Sequence, residues 1–337
     1  MDSAELQRRR EERAAARRRR RIRRRVGIGA TVGVLVIAVV VAIAAASGGG
    51  GSSNTASTKS TPSARTSTHA ATHSRHQGAG HRRGESTAAV LGPATGTRGT
   101  ASVPVLMYHV IAAPPSGAPF PGLYVQPDEF SAQMQALKQA GWHAVTLDQL
   151  RAYWTKGAKL PAGKPIVITF DNGYHSQYSQ ALPVLRKMGW VADENIQLSG
   201  LPPSQGGLTD SQVKAMVDAG WELDTQGISH ADLITLDASQ LHYQIDTARK
   251  TIQRRWGVPV NWFCYPSGHY DATVINAVRA AGYVGSTTVI PGWAGPSNDP
   301  YRLPRLRVLG GTSPASLLKQ IADNRTASAP PGSYGGA

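Results

Sequence analysis

The sequence predicts an α/β fold, a (β/α) barrel of roughly seven or eight strands within residues 102–325. Two observations lead there. From Val103 onward, short apolar runs alternate with stretches of helical periodicity. Helices also end in a repeated way, at Gln139-Ala140-Gly141-Trp142, Lys187-Met188-Gly189-Trp190, Asp218-Ala219-Gly220-Trp221 and Ala280-Ala281-Gly282-Tyr283. A glycine just past a helix takes the left-handed backbone without strain, and the aromatic then opens the next strand. So many βα units in one domain favour a closed barrel over an open doubly wound sheet.

Ahead of that domain stand three segments of different composition. Residues 1–25 are a basic tail with twelve Arg against four acidic residues. Residues 26–46 are uncharged and apolar apart from Thr31; as a helix they reach about 30 Å, the thickness of a bilayer's hydrocarbon core. The adjoining arginines predict a single-pass transmembrane helix with the N-terminus in the cytoplasm and the main domain outside the cell membrane. The alternative is a signal peptide cleaved near Ala44-Ala45-Ala46, although the run exceeds the usual apolar region of such peptides. Residues 47–101 are Gly, Ser, Thr, Ala and His with scattered Arg, too poor in large apolar side chains to offset ordering entropy. They read as a disordered tether with a reach on the order of 40 Å, and His69, His73, His76 and His81 read as solvated linker rather than a metal tract.

Within the domain, strands are expected at 103–108, 144–147, 165–170, 191–198, 221–225, 261–265, 283–288 and 305–308. Helices fall between them, for example Ala272 to Ala281 with Asp271 as N-cap. Residues 326–337 read as a disordered tail. Of the net charge of +15, the part from 102 to 337 holds only eighteen basic against sixteen acidic residues. The charge therefore sits in a tail and a tether, not on a patterned face, which argues against a nucleic-acid partner. There is no phosphate-cradling glycine loop and no nucleophile elbow, so nucleotide and serine-hydrolase readings lack support. Cys264 is the only cysteine, which excludes an intrachain disulfide and a Cys-rich zinc site. In an apolar strand it reads as an inert core thiol.

The stretch Ile166-Val-Ile-Thr-Phe-Asp-Asn-Gly-Tyr174 is an apolar strand ending in an acid, an amide and a glycine. Its end places Asp171 and Asn172 where a parallel barrel keeps its chemistry. Asn-Gly alone could make a hairpin turn, but Ser176 to Met188 reads as a helix rather than a returning strand. Four segments in order resemble those of the polysaccharide deacetylases, the NodB homology domain, over residues 103 to about 323. They are Val103-Pro-Val-Leu-Met-Tyr-His109, Thr169-Phe-Asp-Asn-Gly173, Gln226-Gly-Ile-Ser-His230 and Phe263-Cys-Tyr-Pro-Ser-Gly268. The first is similar to the opening strand of the permuted-motif members that act on poly-N-acetylglucosamine.

The resemblance implies a distorted deacetylase barrel, an N-acetylated cell-envelope glycan as partner, and hydrolysis of a carbon–nitrogen amide bond that is not a peptide. It implies Asp171 as general base and His109 as general acid. It implies a zinc or other divalent metal cofactor held at the positions of Asn172, Gln226 and His230. Of these, only His230 keeps the family's residue type, while Asn172 stands for an acid and Gln226 for a histidine. Two neutral amides in a set of three ligands predict weak or absent metal binding. The alternative to a working enzyme is therefore a catalytically silent, glycan-binding pseudoenzyme. His175 and His269 lie near the motifs and are the candidates to replace a lost ligand. Tyr174, Tyr265, Pro266 and Trp293 are the expected groove residues, with Trp293 as a sugar-stacking platform, whereas Trp142, Trp190 and Trp221 follow helix-ending glycines and read as core. The arginines of Leu303-Pro-Arg-Leu-Arg307 receive no role.

Overall fold

The computed structural model describes residues 96–201, 206–325 and 329–336. The chain divides into a unit of residues 1–79 and a unit of residues 80–337, and the described residues belong to the second. The basic tail, the apolar run and most of the tether therefore lie outside the described residues. Among the described residues no helix is long and apolar enough to cross a membrane.

Among the described residues nine strands form one sheet: β1 (Val103–Tyr108), β2 (Trp142–Val145), β3 (Lys164–Asn172), β4 (Asp193–Ile196), β5 (Glu222–Thr225), β6 (Trp262–Cys264), β7 (Gly285–Thr287), β8 (Trp293–Ala294) and β9 (Leu306–Arg307). Their order is β7-β6-β5-β4-β3-β1-β8, with β2 on β3 and β9 on β1. Every pairing is parallel except β1 with β8. β2 pairs with the first half of β3 and β4 with its second half. The gap between β7 and β1 is closed by one short segment. Leu303 bridges Thr287 in parallel, and Leu306 and Arg307 pair with Leu106 and Met107. The expected distorted barrel is what results.

The strands are apolar because both of their faces are covered. On the outer face Leu106, Tyr108, Ile166, Ile168 and Phe170 join Phe130, Met134 and Leu137 of the helix Pro127–Gln139 in one buried cluster. On the inner face Val103, Val105 and Val167 pack with Leu147, Leu150 and Trp154 of the helix Leu147–Lys156, which fills one end of the barrel. The period-two alternation of β1 and β3 thus separates two cores. The four helix-ending glycines have φ of 81°, 71°, 90° and 85°, the left-handed backbone their position requires.

Differences from the sequence expectations are local. The strand expected at 144–147 runs instead over Trp142–Val145, because the Thr146 side chain accepts from Gln149 N and caps the next helix. The end of the supposed tether is ordered against the domain: Gly99 N donates to Tyr153 O and Ala101 O accepts from Trp154 Nε1. The supposed tail is also docked. Tyr334 and Tyr270 exchange two backbone hydrogen bonds of 2.8 Å, and Tyr270 Oη donates to Pro331 O. Tail residues of low hydrophobicity are held here by backbone pairing, which composition does not report.

At the opening residues of β4 and β5, three acids converge: the carboxylates of Asp193, Glu222 and Asp224 each offer an oxygen within 4.8 Å of the others. One oxygen of each accepts a backbone N–H, from Leu147, Asp148 and Trp262 respectively. The other oxygens, Asp193 Oδ2, Glu222 Oε1 and Asp224 Oδ2, are buried without a partner. Burial, then repulsion from its neighbour Asp148, pushes the Glu222 carboxyl up to about 8. A carboxyl whose folded pKa is raised stabilises the fold fully below its unfolded value near 4.5 and loses that contribution as pH rises through 8. Glu222→Gln should therefore flatten the decline of Tm between pH 5 and pH 8, raising Tm by a few degrees at the alkaline end. Equal Tm differences at both pH values, read by differential scanning fluorimetry, would refute the assignment.

Candidate active site

The C-terminal strand ends open into a cavity of about 570 Å3 lined by His109, Asp171, Asn172, Gln197, Gln226 and His230 among others. These side chains are delivered by four strand ends or the loops that follow them. His109 follows β1, Asp171 and Asn172 end β3, Gln197 follows β4 and Gln226 follows β5. Asn172 sits at φ 85°, a left-handed conformation that Asn tolerates better than most residues. Gly173 continues the turn at φ 87°, where a Cβ would lie 2.9 Å from Ile196 Cγ1. Gln177 then ties the strand ends together, its buried Nε2 donating to His109 O at 2.8 Å and to Asp171 O at 2.9 Å.

Asp171 is 1% exposed and lies in a dense set of donors. Arg305, equally buried, grips it bidentately, with Nη1 to Oδ1 at 2.7 Å and Nη2 to Oδ2 at 2.9 Å. Asn195 Nδ2 adds a third bond at 2.9 Å and the Cys264 thiol a longer one at 3.5 Å. Arg305 spends its remaining donors on Thr288 O, Thr169 Oγ1 and the Cys264 sulfur. Burial alone would raise the Asp171 carboxyl, but the Arg305 guanidinium outweighs it and holds the group down at about 2. Asp171 is therefore a fixed carboxylate. Burial pushes the Cys264 thiol up to about 12, so it is inert, as its apolar strand implied.

His109 Nε2 lies 3.9 Å from Asp171 Oδ2, and its Nδ1 is buried without a partner. Burial brings its pKa down to about 4 despite the nearby carboxylate, so the ring is neutral at pH 7. His230, at φ 54°, is also lowered chiefly by burial. The loop that carries it is held by Gln244, whose Oε1 accepts from Ile228 N and Ser229 N while its Nε2 donates to Ser229 Oγ.

The remaining expected groove residues separate. Tyr174 and Tyr265 line the cavity. Pro266 does not; it is buried in the turn Pro266–Gly268, whose Ser267 and Gly268 form that wall instead. Trp293 is a correction. It pairs through β8 with Pro104 at the start of β1, donates Nε1 to Ile321 O and packs on Trp142, away from the strand ends that form the groove. A glycine-flanked tryptophan looked like a platform, but an antiparallel strand pairing turned it to the helix layer. Trp190 and Trp221 are buried as expected. His175 and His269 do not join the site: one contacts Gln212 and the other Asp232.

Arg305, Asn195, Gln177 and Gln197 received no role from sequence. Arg305 stood in the Leu303–Arg307 stretch, whose arginines received no role, and nothing local marks which acid it meets 134 residues away.

The donor set does not suit the metal that the resemblance implies. The positions for three ligands hold two carboxamides and one imidazole, and Asn172 Nδ2 is turned to Gln197 Oε1 at 3.4 Å. Among the described residues, the one group of at least three His, Cys, Asp or Glu with converging ligand atoms is the acidic set at the opening of β4 and β5. The groove itself supplies no anionic ligand beyond Asp171, whose oxygens are committed to Arg305.

Comparison with known proteins gives one answer. The family model described as polysaccharide deacetylase matches residues 158–286. YxkH of Bacillus subtilis (strain 168), which carries a provisional polysaccharide deacetylase name, is 31% identical over 218 residues, covering 64% of this chain and 75% of the relative. The Streptococcus pyogenes deacetylase PplD, solved in complex with acetate, is 27% identical with a TM-score of 0.60, covering 66% of this chain and 99% of that one. A shorter match, 37% over 60 residues, is to the poly-β-1,6-N-acetyl-D-glucosamine N-deacetylase of Escherichia coli (strain K12), covering 18% of this chain and 9% of that one. With its parallel barrel, its strand-end acid and histidine, and a relative of which it covers three quarters, the chain belongs to the polysaccharide deacetylase family.

Proposed function

We propose that the groove receives an N-acetylated glycan of the cell envelope, with an acetamido group brought up to His109 and Asp171 at the strand ends. The observation that carries this is the buried Asp171–Arg305 pair beside His109 at the strand ends of a 570 Å3 groove. Arg305 keeps Asp171 ionised, so the carboxylate can only accept a proton or hydrogen bond. His109, neutral and lining the same cavity 3.9 Å from Asp171, can orient water or the amide beside the carboxylate. Deacetylation by these groups alone is slow, because nothing replaces the carbonyl polarisation worth several kcal/mol that a metal supplies in such hydrolysis. The Arg-flanked apolar run 26–46 supports placing the domain on the outer face of the membrane.

A second reading, favoured by Asn172 and Gln226 together, is that the groove holds the glycan without turnover. Incubating the full chain with N-acetylglucosamine oligomers and measuring both binding and acetate separates the two. The expected result is binding with slow acetate release, insensitive to EDTA and lost in Asp171→Asn. Binding with no acetate at all establishes the second reading, and absence of binding rejects both.

A further inference from the structure

Three consecutive strands each deliver one carboxamide to the groove. Asn172 closes β3, Gln197 follows β4 and Gln226 follows β5. The registers Asn172↔Ile196↔Thr225 put Gln197 and Gln226 level with each other and one residue beyond Asn172, and the backbones are joined: Gln197 N donates to Asn172 O at 3.3 Å and Gln226 N to Ile196 O at 2.9 Å. Strands spaced by about 4.8 Å place such a row along about 10 Å of the groove floor, the length of roughly two sugar rings. Asn172 Nδ2 reaches Gln197 Oε1 at a long 3.4 Å. Gln226 Oε1, on a residue only 3% exposed, has no partner among the described residues. A buried carbonyl oxygen without a donor costs free energy unless something supplies one. The amide row therefore has unspent hydrogen-bonding capacity, and it is neutral, since none of its members titrates.

An acetamido group carries one N–H donor and one C=O acceptor, and a carboxamide presents the complementary pair. A metal, by contrast, would take only the carbonyl oxygen. We propose that Asn172, Gln197 and Gln226 form a metal-free carboxamide cradle that recognises the N-acetyl group of the glycan, with Gln197 and Gln226 as its specificity-determining members. This rests on the glycan-groove reading above. The two amides at former ligand positions are then recognition groups rather than remnants.

The test is isothermal titration of the full chain, with and without EDTA, with N-acetylglucosamine oligomers of β-1,4 and β-1,6 linkage and with glucose oligomers of matched linkage and length. These probes are all uncharged and differ in the acetamido group. The N-acetylated oligomer should bind more tightly, and Gln226→Met and Gln197→Met should each weaken it about tenfold while weakening the glucose oligomer less, so that the preference narrows. Gln226→Glu, equal in size, serves if the Met variant does not fold and should also weaken N-acetyl binding. Loss of binding in EDTA overturns the cradle, as does equal affinity for the two oligomer types, or a preference unmoved by any variant. Failure of every oligomer to bind rejects instead the groove reading on which the cradle depends, and the cradle with it.

Discussion

Asn172→Asp combined with Gln226→His should convert a chain that binds zinc weakly into one that binds it tightly. The change supplies a carboxylate and a second imidazole beside His230, completing the Asp-His-His set that a zinc with one open position requires. The gain should exceed the about 10–100-fold that a single outer-shell partner is worth to a metal site, with each single variant in between. Asp at position 172 keeps the local backbone feasible, because Asp, like Asn, tolerates the left-handed φ of 85° found there. Without metal, the new carboxylate next to Asp171 adds like-charge repulsion, so the apo double variant should melt below the unmodified chain and recover on adding zinc. Competition with a chelating dye measures the affinity, and acetate release should become zinc-dependent at the same time. Stoichiometric, tight zinc in the unmodified chain would refute the account of the donor set.

Arg305→Met should be the most destabilising single change in the groove. It strands the Asp171 carboxylate in a site where both partners are 1% exposed. Removing one member of a buried ion pair costs about 3–5 kcal/mol, which for a domain of this size lowers Tm by on the order of 10 °C. Adding Asp171→Asn should restore much of the loss, since a neutral amide needs no countercharge. The pH dependence carries an independent sign. With Arg305 present, Asp171 sits at about 2, below its ordinary value of 3.8, so its contribution is present above 3.8 and fades as pH falls toward 2. In Arg305→Met burial, opposed only by the smaller effects of His109 and the Asn195 hydrogen bond, lifts the carboxyl, so the variant's deficit should shrink as pH falls. A deficit independent of pH would mean that the lost packing of the Arg305 stem, and not the charge, sets the cost.

Much of the groove was legible because its residues lie at strand ends, and strand ends are marked locally. An apolar run stopping at Asp171-Asn172-Gly173 announces its own C-terminus, and the helix-ending glycines at 141, 189, 220 and 282 count the units around the barrel. Arg305 was not legible, since its meaning depends on a partner 134 residues away. Gln197 was missed for a similar reason: only the register of β4 between β3 and β5 brings it beside Asn172 and level with Gln226. Trp293 was misplaced because a loop-like Pro-Gly-Trp reads the same whether its ring faces sugar or a neighbouring tryptophan.

What could be read from residue order was therefore the βα succession, the places where strands stop, the surviving acid and histidine, and the two amides that replace ligands. These follow from side-chain chemistry and local backbone preference, which act over a few residues. The tertiary structure alone settled that Asp171 is clamped by Arg305 and held fully ionised, that the carboxamides stand in one row, and that the chain's end docks on Tyr270. The clamp is a fact of closure: it arises when the segment Leu303–Arg307 spans the gap between β7 and β1 and buries a charge that water would otherwise have screened. The row follows from the parallel pairing of β3, β4 and β5, and the docking from backbone hydrogen bonds between residues 64 positions apart.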